Sequence, residues 1–521
     1  MRPDKVTMPL YTRPIVVSSP LWRRLWRLFL LLALAALYGV GIAYLPLQLI
    51  AVPIIPIILL LLLSLWMLPD QATLPERALQ TTFTWFIVLY YVWPSYIAIA
   101  LPGLPWFSAG RLALLVLMVV ALYCLSTSNK FRTVIIETAK ASRVIWSLFL
   151  VGLVAQLMPT FFNASPISII TRLINDQMYW TAPFLIGCYV FRQPGRTTHF
   201  IKTMVTIITI LSLFGLLERY QQGLFWAGHI PSFLKIDDDK LFDVVFSSQM
   251  RDYIGTYRVH STFAVSLIYA ELLVLILPFI IHGIVIAKTF RLKLLLTFIW
   301  LIVGLNIFFT DSRLGKIGFI IAHFGYALMW AVRYRQRIAS FGATAVTFAI
   351  PAVVALGVGL IFASRRLHAL VFGSEGYAGS SDARVDQIAM GIPKILHNPL
   401  GYGAGTAGRV LGYRSPGGQL TIDSQFLKTA LEFGVVGMVA IYGLFVWATW
   451  LAVRIYFGSR DSETDLAGPT ALLLVNYVVI RSVLAEDYNN TLGYLAVAIV
   501  VALLIRHREL QNTLYTKSLR R

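Results

Sequence analysis

The chain has 521 residues, of which 58% are hydrophobic and only 13% are charged. A soluble protein carries about a quarter charged residues, so this composition excludes an assembly of water-soluble domains and predicts a polytopic membrane protein. The formal net charge of +20 does not indicate a nucleic-acid partner, because basic residues beside membrane spans report orientation. Cys124 and Cys188 lie inside apolar runs, where we expect neither a disulfide nor a metal site.

Apolar runs long enough to cross a membrane recur from one end of the chain to the other. A hydrocarbon core about 30 Å thick requires about 20 mostly apolar residues in a helix. The sequence therefore predicts an all-α membrane protein with twelve to fourteen spans. In the interpretation with fourteen, the spans lie at residues 28–46, 48–68, 82–101, 112–127, 144–161, 173–191, 203–221, 262–282, 294–310, 315–332, 341–363, 426–447, 467–484 and 491–505.

The distribution of basic residues predicts the orientation. More than half of the 44 lysines and arginines fall in segments that are cytoplasmic if the amino terminus is inside, as expected when short basic loops stay in the cytoplasm. Both termini are then cytoplasmic. The first apolar run follows Arg23, Arg24 and Arg27, is too long for a cleaved signal and ends without a small-residue cleavage site, so we expect an uncleaved anchor.

The predicted spans and orientation divide the chain into five segments. Residues 1–221 hold the first helices and 222–260 form an outer loop. Residues 261–363 hold the central helices, 364–424 form a larger outer loop, and 425–521 hold the last helices and a basic cytoplasmic tail. Because the other connections are short, we expect a functional site on the outer face, in or beneath the two long loops.

The larger loop contains a predicted helix and a glycine turn. Residues 380–382, Ser-Ser-Asp, offer an amino-terminal cap for a short amphipathic helix at the membrane surface, which Pro393 and residues 397–399 would end. Residues 403–408 then match G-x-G-x-x-G. A dinucleotide site would need that motif between a strand and a helix, which this region does not provide. We expect a tight turn whose amides can approach an anion.

Arginines are unusually frequent on the predicted outer face, against the usual bias. A guanidinium can contact phosphate through two parallel hydrogen bonds, and Arg258 directly precedes an apolar span, where a helix amino terminus would add to the attraction for an anion. The alternative is that these side chains reach for lipid headgroups. The outer arginines singled out are Arg258, Arg313, Arg384, Arg409 and Arg414.

Acidic residues in or near the predicted spans are fewer than the arginines. Glu271 lies inside a span and needs a partner or a water-filled cavity. Asp423 precedes a late span that contains Glu432, and it either caps that helix or acts as a general base. The three aspartates at 237–239 favour a solvated turn over a metal site.

Histidines on the outer face have no metal-ligand spacing, so we expect no metal site. They are His229, His260, His368 and His397. The sequence also lacks a Walker A motif, which argues against ATP hydrolysis.

Three segments carry a family resemblance. Residues 257–278, YRVHSTFAVSLIYAELLVLILP, residues 309–318, FTDSRLGKIG, and the order of motifs from 381 to 437 resemble the bacterial O-antigen ligase and O-antigen (Wzy-type) polymerase superfamily. Members are integral-membrane glycosyltransferases that use undecaprenyl-diphosphate-linked saccharides. The resemblance implies a GT-C-like fold and an inverting transfer that uses no metal or other cofactor.

The resemblance also implies roles for individual residues. Arg258, Arg313 and Arg384 would bind the donor diphosphate or its leaving group. From its place on the outer face, Arg409 is predicted as a further diphosphate ligand, and Lys316 and Glu432 as secondary residues. Ligases usually carry a histidine in the polar segment before the late span, where this chain has residues 421–424, Thr-Ile-Asp-Ser. The general base would then be Asp423, His397 or His260, and a polymerase is favoured over a ligase.

The leading hypothesis is a polymerase of lipid-linked O-antigen or exopolysaccharide repeat units at the periplasmic face of the bacterial inner membrane. Its expected partners are the undecaprenyl-diphosphate-linked oligosaccharide, the bilayer, a flippase and a chain-length regulator. The first alternative is a ligase that moves a finished glycan onto lipid A core or protein. The second is a flippase or transporter, in which charged residues would line a path through the membrane instead of gathering at its outer edge.

Overall fold

The computed structural model describes residues 63–70, 75–100, 106–163, 166–236, 256–338, 340–364, 378–415 and 418–519, with a few single residues and pairs elsewhere. Four sequence predictions lie wholly or largely outside the described residues. These are the spans at 28–46 and 48–68, the acidic run at 237–239 and His368.

Most of the described residues are helical. The helices are α1 (Glu76–Val92), α2 (Ala109–Thr127), α3 (Asn129–Ala141), α4 (Arg143–Leu157), α5 (Pro166–Tyr179), α6 (Thr181–Arg192), α7 (Arg196–Gln221), α8 (Ser266–Ile286), α9 (Phe290–Phe309), α10 (Arg313–Arg337), α11 (Phe341–Ala363), α12 (Ala378–His397), α13 (Ala407–Leu411), α14 (Gln425–Gly458), α15 (Ala467–Arg481) and α16 (Asn490–Leu519). Short 3₁₀ turns at Met158–Phe162, Ala227–His229, Ser232–Leu234 and Thr464–Leu466 join some of them.

Strand pairing in the part of the chain that is described consists of two small hairpins and two isolated bridges, Ile97 with Lys235 and Arg414 with Leu420. Strand β1 (Ala98–Ile99) pairs antiparallel with β2 (Phe107–Ser108), and β3 (Met250–Arg251) pairs antiparallel with β4 (Thr256–Tyr257). Neither hairpin adjoins the glycine motif at 403–408. The expectation that this motif belongs to a loop and not to a dinucleotide fold is therefore confirmed.

Eight helical segments among the described residues are long and apolar enough to cross a membrane. This number supports an all-α polytopic membrane protein. The segments are Ala109–Thr127, Arg143–Phe162, Arg196–Gln221, Ser266–Ile286, Phe290–Phe309, Arg313–Arg337, Gln425–Gly458 and Asn490–Thr513.

Helices α8 and α16 form the centre of the bundle. Residues 272–277 of α8 and 495–501 of α16 are almost completely buried, as expected for helices that are apolar on every side. Outer helices such as α9 and α11 expose large apolar side chains, including Phe298 and Phe348. That pattern is typical of a surface that faces lipid.

One predicted helix start was wrong, and the structure decides between two alternatives for the cap of another helix. Helix α12 begins at Ala378, before the predicted cap at 380–382, and continues through Pro393 to His397. A proline removes one backbone hydrogen bond, but the helix continues past Pro393 and packs against α14. Helix α14 is capped by Ser424, whose Oγ accepts a hydrogen bond from Leu427 N at 3.3 Å. Asp423 is therefore not the cap, because the neighbouring serine already fills that position.

Candidate active site

The site is built around a break in α14 at Gly434, where φ is 71° and ψ is 179°. The loop that follows α12 enters this break. Tyr402 N donates to Leu431 O at 2.8 Å, Gly403 N donates to Glu432 O at 2.8 Å, and Val435 N donates to Pro399 O at 3.1 Å. The loop thus satisfies backbone groups that a continuous helix would pair internally.

Glycine is required on both sides of this junction. Gly401, Gly403 and Gly405 have φ values of 92°, 99° and 76°, a region that residues with a Cβ rarely adopt. A Cβ on Gly434 would lie 2.1 Å from Pro399 O, and one on Gly401 would lie 2.5 Å from Glu432 O. The tight glycine turn predicted from the sequence is confirmed.

A cavity of about 400 Å³ lies beside this turn, and we call it the glycine-turn cavity. Its wall contains three cationic side chains and one carboxylate, together with backbone of residues 404–408. The lining residues are Ser168, Arg172, Ala404, Gly405, Thr406, Ala407, Gly408, Arg409, Ile422, Lys428 and Glu432.

A second cavity of about 460 Å³ adjoins the first, because Arg172 and Lys428 line both. We call it the acid–aromatic cavity after its five aromatic and three acidic residues. Its wall consists of Tyr90, Trp93, Ser95, Ser108, Gly110, Arg111, Arg172, Asn175, Asp176, Tyr179, Trp180, Ile268, Lys428, Ala485, Glu486, Asp487 and Tyr488.

Asp487 joins the elements around the two shared cations. Its carboxylate accepts hydrogen bonds from Arg172 Nη2 at 2.7 Å and from Lys428 Nζ at 2.5 Å. The same carboxylate also accepts hydrogen bonds from Gln425 Nε2 at 3.0 Å and from Asn490 Nδ2 at 3.2 Å. One carboxylate thereby links α5, α14 and the start of α16.

The two carboxyl groups of the α15–α16 connection have opposite pKa shifts. Burial would raise the pKa of Asp487, but the charge and hydrogen bond of Lys428, followed by Arg172, lower that pKa to about 2. Burial and the neighbouring Asp487 charge raise the pKa of Glu486 above its ordinary value. Asp487 therefore stays ionised and is a poor proton acceptor near neutral pH, because a general base works best with a pKa near the working pH.

The predicted diphosphate arginines lie in three places. Arg258 Nε donates to Thr310 O at 3.0 Å, so Arg258 lies close to the start of α10 and Arg313 rather than at the start of α8. Arg384 Nε lies 3.8 Å from Asp423 Oδ2. Only Arg409, of the four, lines one of the two cavities.

Two other predicted site residues, Lys316 and Asp423, have polar contacts in the structure. Lys316 Nζ lies 3.3 Å from Asp311 Oδ1, near the start of α10. Asp423 N donates to Gln387 Oε1 at 2.8 Å, and Ile422 beside it lines the glycine-turn cavity. Asp423 therefore lies next to the cavity wall, held against α12.

The segment that carries Arg258 is anchored by Glu218 at the end of α7. The Glu218 carboxylate accepts hydrogen bonds from Tyr257 Oη at 2.9 Å, His260 N at 3.0 Å and Ser261 N at 2.7 Å. Sequence analysis did not single out Glu218. No local pattern marks it, because its partners lie about 40 residues away.

The two predicted histidine bases differ in surroundings. His260 is completely buried, its Nδ1 donates to Phe263 O, and burial lowers its pKa to about 4. Its Nε2 lies 3.5 Å from Glu218 Oε1, and the ring lies outside the walls of both cavities. His397 is exposed at the end of α12 and also lies outside both walls.

Glu271 has the partner that its position in a span requires. Arg481 Nη2 lies 3.0 Å from Glu271 Oε1, and neither side chain is exposed. Asn489 Nδ2 donates to Glu271 Oε2 at 2.9 Å. The pair lies near the connection that carries Asp487, and it anchors α15 to α8.

Several residues of the site escaped sequence analysis, namely Arg172, Asp176, Lys428 and Asp487. Lys428 could have been found from the sequence, because it lies four positions before Glu432 in the same apolar span. Charged residues in a membrane span indicate a functional site. Its partner Asp487 is 59 residues away, and no local pattern connects the two.

Part of the chain is similar to a known protein family. Residues 296–442 match a family model described as O-Antigen ligase. The matched segment contains Arg313, Arg384, Arg409, Asp423 and the junction between the glycine turn and α14. No curated protein matches the sequence.

Proposed function

We propose that this chain is a membrane glycosyltransferase that polymerises undecaprenyl-diphosphate-linked saccharide repeat units. The match of residues 296–442 to a family model described as O-Antigen ligase supports the proposal. The reaction would occur at the periplasmic face of the bacterial inner membrane. The observation that carries the proposal is the glycine-turn cavity. Its wall combines three cations with one carboxylate, and it lies largely within the matched segment.

The composition of this cavity suits a diphosphate. Arg172, Arg409 and Lys428 supply positive charge where a departing diphosphate would accumulate negative charge. The backbone of the glycine turn permits an anion to approach closely. Arg409 has the further advantage that its guanidinium can contact two phosphate oxygens at once.

Three predicted arginines lie outside the wall of the glycine-turn cavity and have separate roles in the proposal. They are Arg258, Arg313 and Arg384. Arg258 and Arg313 lie on adjoining segments near the start of α10, where they would add positive charge for an approaching lipid diphosphate. Arg384 lies against Asp423, so its role in the proposal is to orient that carboxylate.

We propose that the sugar transfer is a single displacement reaction, in which one bond forms as another breaks. The oxygen of an acceptor hydroxyl bonds to the anomeric carbon of the donor saccharide. The bond between that carbon and the diphosphate oxygen breaks, and the electron pair leaves with the diphosphate. The hydroxyl proton passes to a carboxylate, and Asp423 is proposed for this role because it adjoins the cavity wall. Attack from the face opposite the leaving group inverts the anomeric configuration.

Charge clustering favours an enzyme over a transporter. The cations and acids of both cavities come from the start of α2, from α5 and α13, from the first turns of α14, and from the connection between α15 and α16. In the predicted topology all of these lie at the outer edge of the membrane. A transporter would need such residues along a path through the bundle.

The first test uses purified protein in nanodiscs with the isolated undecaprenyl-diphosphate-linked repeat unit. Arg409→Ala should lower kcat/KM by about 100-fold or more, as expected when one donor to a developing charge is lost. Arg414→Ala is the matched control, since Arg414 is exposed on the same loop and donates to Gly418 O. Products should form a ladder of multiples of the repeat unit.

Two results would contradict the proposal. Wild-type rates in Arg409→Ala would remove the glycine-turn cavity from the reaction. Transfer of a single glycan to added lipid A core, without a ladder, would identify the chain as a ligase instead of a polymerase.

A further inference from the structure

The acid–aromatic cavity differs chemically from the glycine-turn cavity. Its charged residues are three cations and three acids, so the formal charges balance. Arg172 Nε lies 3.2 Å from Asp176 Oδ1, and Asp487 accepts hydrogen bonds from both Arg172 and Lys428. The acid–aromatic cavity is therefore less suited to an anion than the glycine-turn cavity, whose wall combines three cations with one carboxylate.

Aromatic rings form much of the remaining wall. Tyr90 stacks on Tyr488 with ring centroids 4.5 Å apart, and each hydroxyl donates to the backbone carbonyl of the other residue. This pair makes a rigid side of the cavity. Trp93 is partly exposed and is positioned by a hydrogen bond from Nε1 to Ile97 O at 2.7 Å.

A neutral ligand with many hydroxyl groups fits this combination. The apolar faces of a sugar ring pack on aromatic rings, while carboxylates, amides and hydroxyls accept or donate hydrogen bonds at its edge. Glu486, Asn175, Ser95 and Ser108 provide such groups. A volume of about 460 Å³ lies within the range of about 300–1,000 Å³ that is typical of small-ligand sites.

We propose that the acid–aromatic cavity binds the acceptor, as a saccharide end that carries no phosphate and presents the attacking hydroxyl. The proposal rests on the proposed function, because it assigns the second substrate of that reaction. Arg172 and Lys428 line both cavities, so a saccharide here would present its hydroxyl close to a diphosphate in the glycine-turn cavity.

The test separates the two cavities by the probe that each binds. One probe is the repeat-unit oligosaccharide released from its lipid and freed of phosphate. The other is undecaprenyl diphosphate without sugar. Both are titrated into full-length protein in nanodiscs. Trp93→Ala should raise the Kd for the oligosaccharide at least about 10-fold and leave the Kd for undecaprenyl diphosphate unchanged.

Matched variants control for folding. Trp85→Ala removes a tryptophan from α1, the helix that Trp93 follows; Trp85 is 58% exposed, and its loss should change neither Kd. Trp93→Phe retains an aromatic face and should keep most of the oligosaccharide affinity, even if Trp93→Ala is poorly folded.

Wild-type oligosaccharide affinity in Trp93→Ala, or equal losses of affinity for both probes, would overturn the acceptor site. A loss of oligosaccharide affinity in Trp93→Phe equal to that in Trp93→Ala would also exclude ring packing. Failure of the proposed function is distinguishable, since Arg409→Ala would then bind undecaprenyl diphosphate as tightly as the wild type.

Discussion

Asp423 and Asp487 are both carboxylates near the candidate site. Their hydrogen-bond partners and exposure differ, and so does their ability to accept a proton. Asp487 accepts four hydrogen bonds, two of them from cations, and its pKa is lowered to about 2. Asp423 is 37% exposed, and its closest cation, Arg384, lies 3.8 Å away. A general base must be able to accept a proton during the reaction, so Asp423 suits that role and Asp487 suits the positioning of Arg172 and Lys428.

Asp423→Asn should lower kcat by about 100-fold or more with little change in KM, because Asn has the same shape but cannot accept the proton. Steady-state kinetics with the lipid-linked repeat unit measure both constants. Asp386→Asn is the control, since Asp386 is exposed on α12 within one turn of Arg384 and should keep wild-type values. An unchanged kcat in Asp423→Asn would exclude this residue as the base.

At the scale of elements, the site depends on a helix that is interrupted. The break at Gly434 exposes carbonyls of α14, and the glycine turn bonds to them. The same break places Glu432 and Lys428 at the wall of the glycine-turn cavity while the rest of α14 continues through the bundle. A helix without the break would have no backbone groups to hold residues 399–403.

Gly434→Ala should destabilise the protein by ~1–3 kcal/mol, the usual cost of a strained backbone conformation, and should abolish polymer formation. The added Cβ would lie 2.1 Å from Pro399 O, so the turn must move. Gly443→Ala is a matched control in the same helix, because its Cβ would meet Leu148 at an ordinary 3.6 Å. Thermal unfolding in detergent and polymer length measure the two effects. Equal melting temperatures for the two variants would show that the junction tolerates a side chain.

At the scale of the whole molecule, the two ends of the bundle carry different arrangements of charge. One end holds the two cavities. The other holds ion pairs between helix ends and loops, such as Arg333 Nη2 with Asp465 Oδ1 at 2.6 Å and Arg506 Nε with Asp461 Oδ2 at 3.0 Å. Helix α14 joins the two ends, and its 34 residues at about 1.5 Å each exceed the thickness of a membrane core.

Cysteine labelling can test the predicted orientation directly. The native Cys124 and Cys188 are free and buried, so single exposed cysteines would dominate the signal. Gln419→Cys, before α14, should react with a membrane-impermeant maleimide in spheroplasts. Ser462→Cys, after α14, should react only when the membrane is permeabilised, and both positions are exposed. The opposite pattern would place the cavities on the cytoplasmic side.

Part of the site was predictable and part was not. The glycine turn and the need of Glu271 for a partner each depend on a few neighbouring residues, and the structure confirms both. Arg409 and Glu432, also singled out from the sequence, line the glycine-turn cavity. The centre of the site depends on Asp487, which pairs with Arg172 across 315 residues. Neither residue is unusual in its own segment, so only their contact marks them.

The sequence by itself determined the membrane class, most of the helices and the family resemblance, because hydropathy, loop charge and short motifs are local properties of a chain. The tertiary structure alone decided which charges meet. Helix packing brings Arg172, Lys428 and Asp487 together between two cavities and leaves Arg384 against Asp423. Such pairings are set by the burial of apolar helix faces far from the charges themselves, and the order of residues along the chain does not encode them locally.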